Sequence, residues 1–251
     1  MTKYKGRGGG KLMGVDIYVM DFLLKFRGRS LGETLWLGRQ GYHIHDSTLG
    51  NSVLRSYDRR VSIENIKGET GYCEELFKYL GSKAIRSLDY SDFEGAEITH
   101  DLNDPIPDEL ANQFDCIFDG GTIEHVFDTR MAFSNVKRML RVGGIFLMVD
   151  GANNFLGHGL YQFSPDLLWR TFSRENGFEI ELMQLVDDVG KPNPRDVPDP
   201  AVLGQRSNMT MSTARTYVLM AARKTFEISD GEQKVYQSDY LAAWQRSGTD
   251  D

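Results

Sequence analysis

Apolar runs of two kinds alternate along the chain and predict strands between helices. Short apolar runs bounded by glycine or aspartate are typical of buried strands, and they read ETLWLG, AIRSLD, AEITHDLN, QFDCIFDG, IFLMVDG, FEIELMQLV and TYVLMAAR. Longer segments with apolar residues at helical spacing predict helices, and they read LMGVDIYVMDFLLKF, CEELFKYLG, DTRMAFSNVKRMLRVGG, SPDLLWRTFSRENG and VYQSDYLAAW. This alternation indicates an α/β protein with an open, mainly parallel sheet covered by helices on both faces.

Residues at the ends of the predicted helices support these boundaries. Asp128 is placed to cap one helix at its N-terminus, and the glycine pair at 143–144 is its predicted stop. Ser164, followed by proline, begins another helix, which is predicted to end before Gly177. A loop rich in proline and glycine, 187–208, separates the last two strands, and a loop of that length is typical of a functional lid or a disordered insert.

Composition and charge narrow the class of protein. The 251 residues are 40% hydrophobic and 26% charged, which is typical of a soluble globular protein with a sizeable core. The formal charge of −7 argues against a nucleic-acid partner, because phosphate binding needs clustered cations. Two cysteines, a polar start and the lack of any apolar run long enough to span a bilayer predict a cytoplasmic protein with no membrane contact.

Acids and glycines follow the carboxyl ends of the early predicted strands. In an open parallel sheet these ends meet at one edge, where ligands bind. Asp89, after the second strand, suits a ribose diol, and Asp101, after the third, could accept a hydrogen bond from an adenine amino group. Glycines 38 and 41 allow a ligand to approach the backbone closely. These residues together predict a nucleoside-binding cleft.

The motifs of the second half resemble those of class I S-adenosylmethionine (SAM)-dependent methyltransferases of the type 11 kind. The resemblance is strongest over 114–180, in FDCIFDGGTIEHVFD and NVKRMLRVGGIFLMVDG, and weaker over 31–113 and 178–224. It implies a Rossmann-like, doubly wound, mainly parallel sheet of seven strands with helices on both faces. The implied organisation is a methyltransferase domain at 31–224, an N-terminal helical extension at 1–30 and a C-terminal tail with a short helix at 225–251.

The resemblance also implies which residues bind the cofactor SAM. Asp89 would bind the ribose, Asp101 the adenine, and Asp119 would border the methionine part. The first strand departs from the family's acid-x-Gly-x-Gly motif, since it reads LWLGRQG with Trp36 at the place of the acid. The full predicted cofactor set is Gly38, Arg39, Gln40, Gly41, Asp89, Tyr90, Asp101, Leu102, Asn103, Asp119, Gly120 and Gly121.

The turn GTIEH carries the candidate reaction chemistry. It is similar to the E-x-x-E-H turn of ubiquinone-pathway and small-RNA 2′-O-methyltransferases, in which acids and histidines hold a divalent cation. Here Gly121 stands at the first acid, which leaves Glu124 and His125, and His158 is a candidate third ligand. Without a metal, His125 or His158 could act as the general base. A purely structural turn is the third interpretation of this pair.

We therefore expect a SAM-dependent methyltransferase that methylates a hydroxyl group of a small molecule, such as a sugar or a natural product. The catalytic candidates are Glu124, His125 and His158, with a divalent metal as an optional second cofactor. The alternatives are an N-methyltransferase, a non-catalytic binding or assembly protein of the same fold, and an RNA 2′-O-methyltransferase. The apolar leading helix predicts either a homodimer contact or a cover over the cleft.

Overall fold

The computed structural model describes residues 14–227 and 234–247. The polar start of the chain and parts of the predicted tail lie outside these residues. The strands are β1 (Gly14–Val15), β2 (Gly32–Leu37), β3 (Gly41–Tyr42), β4 (Ser82–Asp89), β5 (Ile98–Thr99), β6 (Phe114–Asp119), β7 (Leu140–Asn153), β8 (Phe178–Asp187), β9 (Arg195–Asp196) and β10 (Thr216–Lys224). The helices are α1 (Ile17–Leu24), α2 (Ser47–Tyr57), α3 (Ile63–Ile66), α4 (Glu74–Leu80), α5 (Thr129–Met139), α6 (Pro165–Thr171), α7 (Pro200–Leu203) and α8 (Ser238–Ser247).

The central sheet has the order β5-β4-β2-β6-β7-β10-β8-β9 in the described part of the chain. The first five strands are parallel to one another, and β8 runs in the same direction, whereas β10 and β9 are antiparallel to their neighbours. The predicted fold class, an α/β protein with a mainly parallel sheet between helices, is confirmed. The sheet has eight strands instead of seven, because β9 forms inside the long loop and pairs with the edge of β8.

Helices cover both faces of this sheet. Alternate residues of β6 enter different cores, as the period of two in a strand requires: Phe118 packs with the helices α1 to α4, and Ile117 packs with α5 and α6. Trp36 lies in the first core, with its ring centroid 5.1 Å from that of Phe77. The carboxyl ends of β2, β4, β6 and β7 therefore meet at one edge of a sheet that is held from both sides.

Two local expectations are corrected. The leading segment is not one helix, because Gly14–Val15 pairs as a strand with β3 and Asp16 then caps α1 through hydrogen bonds from two backbone amides. The glycine pair at 143–144 does not stop α5. That helix ends at Met139 because Leu140 already pairs with β6, and both glycines lie within β7.

Both predicted N-terminal helix caps are confirmed. Asp128 accepts a hydrogen bond from the backbone amide of Met131 at the start of α5, and Ser164 caps α6. Gly81 follows α4 in the left-handed conformation, with φ of 109°, which a glycine adopts readily. Both cysteines are buried and are not joined by a disulfide.

Candidate active site

A cleft of about 410 Å³ opens at the carboxyl ends of β4, β5 and β6. It brings together five of the residues that the sequence assigned to the cofactor, and it adds His125 from the turn after β6. Thr122 and Val126 of the same turn complete one wall. The lining consists of Leu88, Asp89, Tyr90, His100, Asp101, Leu102, Asn103, Thr122, His125 and Val126.

The two acids of the cleft are held by local hydrogen bonds. The Asp89 carboxylate accepts from the backbone amide of Tyr90 at 2.7 Å, and Asp101 accepts from the amide and the side chain of Asn103 at 2.9 and 2.7 Å. The bonds from Asn103 lower the pKa of Asp101, so its side chain is a carboxylate at neutral pH. The Tyr90 ring is 74% exposed and lies beside these acids at the mouth of the cleft.

The turn after β2 does not line the cleft. Gly38 has φ of 66°, which favours glycine, and its amide donates to the carbonyl of Leu88. The Arg39 guanidinium pairs with Glu74 at 2.9 Å and donates to the carbonyl of Glu94, so it is turned away from the cleft. The Gln40 side chain is fully buried within the turn, and Gly41 pairs as part of β3. The sequence therefore placed this group correctly at the edge of the sheet, but the cleft itself is formed without it.

Asp119, at the end of β6, holds the following turn in shape. Its buried carboxylate accepts hydrogen bonds from the backbone amides of Thr122 at 2.9 Å and Ile123 at 3.4 Å. The Thr122 hydroxyl in turn donates to the carbonyl of Leu37 at 2.6 Å, which ties the turn to the end of β2. Gly120 lies within this turn, against the Gln40 side chain. The carboxylate of Asp119 is thus engaged by the protein backbone, and it faces away from solvent.

Gly121 explains why the turn lacks the acid found in related turns. Its φ is 96°, a conformation that residues with a side chain rarely adopt. A Cβ at this position would also lie 3.3 Å from Oε1 of Glu124, closer than ordinary packing allows. The backbone conformation of the turn therefore favours glycine here, and a side chain would also have to displace Glu124 slightly.

Glu124, His125 and His158 converge beside the cleft. Oε1 of Glu124 lies 3.4 Å from Nε2 of His158 and 3.9 Å from Nε2 of His125. The two imidazole rings are 5.2 Å apart between centroids. One ligand atom from each of the three side chains lies within 4.8 Å of the other two. The sequence predicted this set across a separation of more than 30 residues, and the structure brings it together.

The burial of Glu124 sets the electrostatics of the group. Its side chain is only 4% exposed, whereas those of His125 and His158 are 41% and 36% exposed. Burial alone would raise the pKa of Glu124, but hydrogen bonds with Asp150 and His158 and the charge of His125 bring it below its usual value. The hydrogen bond to Glu124 raises the pKa of His158 in return. Glu124 is therefore a buried carboxylate that faces two exposed imidazoles.

Asp150, at the end region of β7, is a third buried acid behind this group. No N–H or O–H donor among the described residues reaches either of its oxygens, although the side chain lies against the carboxyls of Glu124 and Asp119. Burial and the charges of these two neighbours raise the pKa of Asp150 well above its usual value. The carboxyl is satisfied when it keeps its proton and donates it in a hydrogen bond to Glu124 or Asp119. Asp150 thus fixes the position of Glu124 from the protein interior.

The loop that carries His158 closes over Glu124. Gly159 has φ of 73°, and a Cβ at this position would overlap the Glu124 side chain, 2.7 Å from its Cγ. The Leu160 amide donates to the backbone carbonyl of Glu124 at 2.7 Å. The sequence showed Asp150 only as a strand-end acid and Gly159 only as a neighbour of His158. Their roles depend on contacts with Glu124, which no spacing in the sequence reveals.

A sheet of this order, with helices on both faces and a cleft at the carboxyl ends of its strands, defines an α/β fold of the Rossmann-like type. Residues 74–148, from the start of α4 into β7, match the family described as a methyltransferase domain. This match supports the prediction from the strand motifs, a SAM-dependent methyltransferase of class I. The prediction of an enzyme with SAM as cofactor is thereby confirmed.

Several solved structures are similar to this chain, and three of them are described here. The methyltransferase in a complex with the Haloferax volcanii Trm112 activator has 12% identity and a TM-score of 0.45, over 81% of this chain and 88% of the other. The YcgJ protein from Bacillus subtilis has 14% identity and a TM-score of 0.45, over 83% and 98%. The 1,6-didemethyltoxoflavin-N1-methyltransferase from Burkholderia thailandensis has 15% identity and a TM-score of 0.40, over 77% and 71%.

No curated protein matches the chain in sequence. None of the helices in 14–227 and 234–247 is both long enough and apolar enough to cross a lipid bilayer.

Proposed function

We propose that the protein transfers the methyl group of SAM to a hydroxyl group of a small molecule, with His158 as the general base. The observation that carries this proposal is the pair formed by Glu124 and His158, whose Oε1 and Nε2 atoms are 3.4 Å apart next to the cleft. A buried carboxylate behind an imidazole orients the ring and stabilises it once it has taken a proton. This arrangement suits the removal of a proton from an acceptor hydroxyl.

The cleft fits the adenosine half of SAM. Asp89 and Asp101 both line it, one at the end of β4 and the other after β5, and each offers a carboxylate oxygen as an acceptor. We assign Asp89 to the ribose hydroxyls and Asp101, with the backbone of Leu102, to the adenine. Tyr90 offers an exposed aromatic face at the mouth. When SAM is bound, it supplies the electrophilic methyl group.

His158 accepts the proton at a defined atom. Its Nε2 faces Glu124, so the Nε2–H donates to that carboxylate and Nδ1 carries the lone pair that takes the hydroxyl proton. Glu124 keeps its negative charge because it is held below its usual pKa, and it stabilises the imidazolium that forms. His125 lines the cleft between the proposed cofactor site and His158, where it can orient the acceptor.

The same geometry also favours a metal-assisted mechanism of methyl transfer. Glu124, His125 and His158 offer one carboxylate oxygen and two imidazole nitrogens within 4.8 Å of one another, a donor set that suits a borderline divalent metal. A bound metal would lower the pKa of an acceptor hydroxyl and so replace the general base. Asp150 would then hold the carboxylate of Glu124 in place through a hydrogen bond.

The acceptor is proposed to be a small molecule. The formal charge of −7 and the buried negative charge of Glu124 beside the cleft both disfavour a polyphosphate backbone. A sugar or a natural product with a free hydroxyl is the class that we propose. Dimerisation through the leading helix and a cytoplasmic location stay predictions.

Two measurements test the enzyme hypothesis. Calorimetry should detect binding of SAM and of S-adenosylhomocysteine; a protein that binds neither would reject it. Incubation with SAM and a panel of sugars, phenols and amines should release S-adenosylhomocysteine, and mass spectrometry should locate the new methyl group on oxygen. A methyl group on nitrogen would reject O-methylation and favour the N-methyltransferase alternative.

With such an acceptor in hand, His158→Ala should lower kcat by about 10²–10⁴-fold, because it removes the general base. Its affinity for S-adenosylhomocysteine should stay close to that of the wild type. The matched control is His45→Ala, which alters an exposed histidine outside the site. Wild-type turnover of the His158 variant would refute the role of the base.

Titration with Mg²⁺, Mn²⁺, Co²⁺ or Zn²⁺ separates the metal-assisted version from the metal-free one. The metal-assisted version requires binding that Glu124→Ala and His125→Ala abolish, and turnover that a chelator stops. Turnover that persists after chelation, together with loss of activity in His158→Ala, would leave the metal-free base as the mechanism.

A further inference from the structure

The loop that carries His158 is tied to the segment that enters β10. Asn154 begins this loop with φ of 60°, and its side-chain amide donates to the carbonyl of Ala214 at 2.7 Å. The residue after Ala214 is Arg215, whose carbonyl accepts from the amide of Asp188 at 2.8 Å. The backbone of Arg215 is therefore held beside the loop of the proposed general base.

Phe155 forms a common platform for His158 and Arg215. Its ring is buried, with its centroid 5.1 Å from that of Tyr217, and its amide donates to the side chain of Gln162 at 2.9 Å. The centroid of the His158 ring lies 5.9 Å from that of Phe155, and the Arg215 guanidinium lies over the Phe155 ring at 5.6 Å. The face of an aromatic ring attracts a cation. The fixed ring thus brings a positive charge next to the proposed base.

Arg215 is exposed, and no acid in the described part of the chain forms an ion pair with it. The two acids that follow β8 on this side bond to other groups. The Asp187 carboxylate accepts from the hydroxyl of Thr216 at 2.7 Å, and the Asp188 carboxylate accepts from the hydroxyl of Tyr18. The N–H groups of the Arg215 guanidinium are therefore available to a ligand that arrives from solvent.

The charge of Arg215 acts on the proposed base. The hydrogen bond to Glu124 raises the pKa of His158, whereas the positive charge of Arg215 works in the opposite direction. When His158 takes a proton from the acceptor hydroxyl, two cations stand near each other. An anionic group of the acceptor, bound to Arg215, would offset this repulsion.

We propose that Arg215 binds a carboxylate of the methyl acceptor while His158 takes the proton from its hydroxyl group. This inference rests on the proposed function, and it narrows the acceptor to a hydroxy acid. The planar guanidinium matches a carboxylate through two parallel hydrogen bonds. A single arginine supplies one positive charge, which suits a carboxylate better than a doubly charged phosphate group.

The surroundings of His158 favour an acceptor with an apolar body. Leu156 and Leu160, which flank this histidine in the same loop, are 90% and 61% exposed. Phe127, whose carbonyl accepts from the hydroxyl of Tyr161 at 2.9 Å, is 75% exposed on the segment before α5. Covering such side chains with an apolar ligand removes them from water, which favours binding. An aromatic hydroxy acid combines this apolar body with the hydroxyl and the carboxylate.

Binding to the protein saturated with S-adenosylhomocysteine tests the inference with defined probes. The acids are mandelate, meta-hydroxybenzoate, para-hydroxyphenylacetate and para-coumarate, which place the carboxylate at increasing distances from the hydroxyl. Each is compared with its neutral amide. Calorimetry should show that at least one acid binds about tenfold to a hundredfold more tightly than its amide, the range expected for hydrogen bonds with a charged group.

Arg215→Gln should lose this preference and keep the wild-type affinity for the amide, because only the charged partner of the carboxylate is removed. Arg215→Lys, which keeps the charge but not the planar group, should retain part of the preference. Arg59→Gln is the matched control, since it removes an exposed arginine between α2 and α3. It should keep the wild-type preference.

Turnover supplies a second readout. The preferred acid should be methylated on its hydroxyl, and Arg215→Gln should lower kcat/KM for this acid by about tenfold to a hundredfold. Equal affinity of the wild type for every acid and its amide, or binding of none of the acids, would overturn the inference. An unchanged preference in Arg215→Gln would overturn it as well.

Failure of the proposed function has a different signature. A wild type that does not bind S-adenosylhomocysteine would overturn both proposals. Selective binding of an acid through Arg215 without methyl transfer to it would overturn the proposed methyl transfer and leave the carboxylate site standing.

Discussion

At the scale of single residues, the site is organised around the buried carboxylate of Glu124. Gly121 and Gly159 approach it from two sides in conformations that a side chain would disfavour, and both would crowd it if they carried a Cβ. Asp150 contacts the Glu124 carboxylate from the protein interior, and His158 contacts it from the exposed side. The two glycines therefore contribute to the position of Glu124, as the acids and histidines around it do.

Gly159→Ala is expected to destabilise the protein and to lower turnover, because the new Cβ must displace Glu124 and the backbone must keep φ of 73°. Gly157→Ala is the matched control, since φ there is 82° but a Cβ would meet no atom within 4 Å. Gly157→Ala should cost about 1–2 kcal/mol from the backbone alone. Chemical denaturation should show a clearly larger loss for Gly159→Ala; equal losses would contradict the contact with Glu124.

At the scale of elements, α1 is tied to the sheet through its own cap. Oδ1 of Asp16 accepts from the amides of Tyr18 and Val19, while Oδ2 accepts from the hydroxyl of Tyr217 on β10 at 3.1 Å. Asp46 caps α2 through the same pair of amide positions, but on the surface. The two caps differ in the burial of the aspartate and in the additional bond to the sheet.

Asp46→Ala should lower the free energy of unfolding by about 1 kcal/mol, the usual value of an N-cap. Asp16→Ala should cost about 1–3 kcal/mol more, because it also leaves the half-buried hydroxyl of Tyr217 without its acceptor. Asp16→Asn, which keeps an acceptor oxygen, should recover most of the difference. Urea denaturation followed by circular dichroism measures all three, and similar losses in both alanine variants would contradict the tie to the sheet.

The elements also show which features the sequence could predict. The longer strands and the caps at Asp128 and Ser164 follow from local patterns and were predicted correctly, whereas the two-residue strands β1, β3 and β9 were not predicted. The end of α5 was not predicted correctly. Leu140 pairs with Phe114 in the sheet, and this long-range contact cannot be read from the local helix propensity. The meeting of Glu124 with His158 was predictable from strand order, whereas the buried position of Gln40 depends on a turn that departs from the family's motif.

At the scale of the whole molecule, the buried acids make stability depend on pH. Burial and the charge of Glu124 raise the pKa of Asp119 to about 7, and Asp150 is raised as well. The folded protein therefore holds protons that the unfolded chain releases above its ordinary carboxyl pKa. Stability from these groups is full at acidic pH and is lost as the pH rises through their folded pKa values. His158, whose pKa is also raised, acts in the same direction.

The free energy of unfolding should accordingly fall between pH 5 and pH 8 in metal-free buffer, by at most about 1.4 kcal/mol per pH unit for each group. Asp150→Asn should reduce this slope, because an amide can donate to Glu124 without titrating. Asp92→Asn, at an exposed position, is the control and should keep the wild-type slope. A slope that is the same in the wild type and in Asp150→Asn would show that Asp150 is not the proton holder.

The short strands at the two ends of the sheet have a consequence for the protein in concentrated solution. A long open strand edge is a template on which other chains can add strands and aggregate. Here one edge is β5, with two residues, and the other is β9, whose two residues are the exposed, oppositely charged Arg195 and Asp196. These strands pair with only two residues each of their neighbours, at Leu88 and Asp89 of β4 and at Gln184 and Leu185 of β8. Most of the outer edges of β4 and β8 therefore stays open for pairing, and we expect edge-to-edge association to begin there.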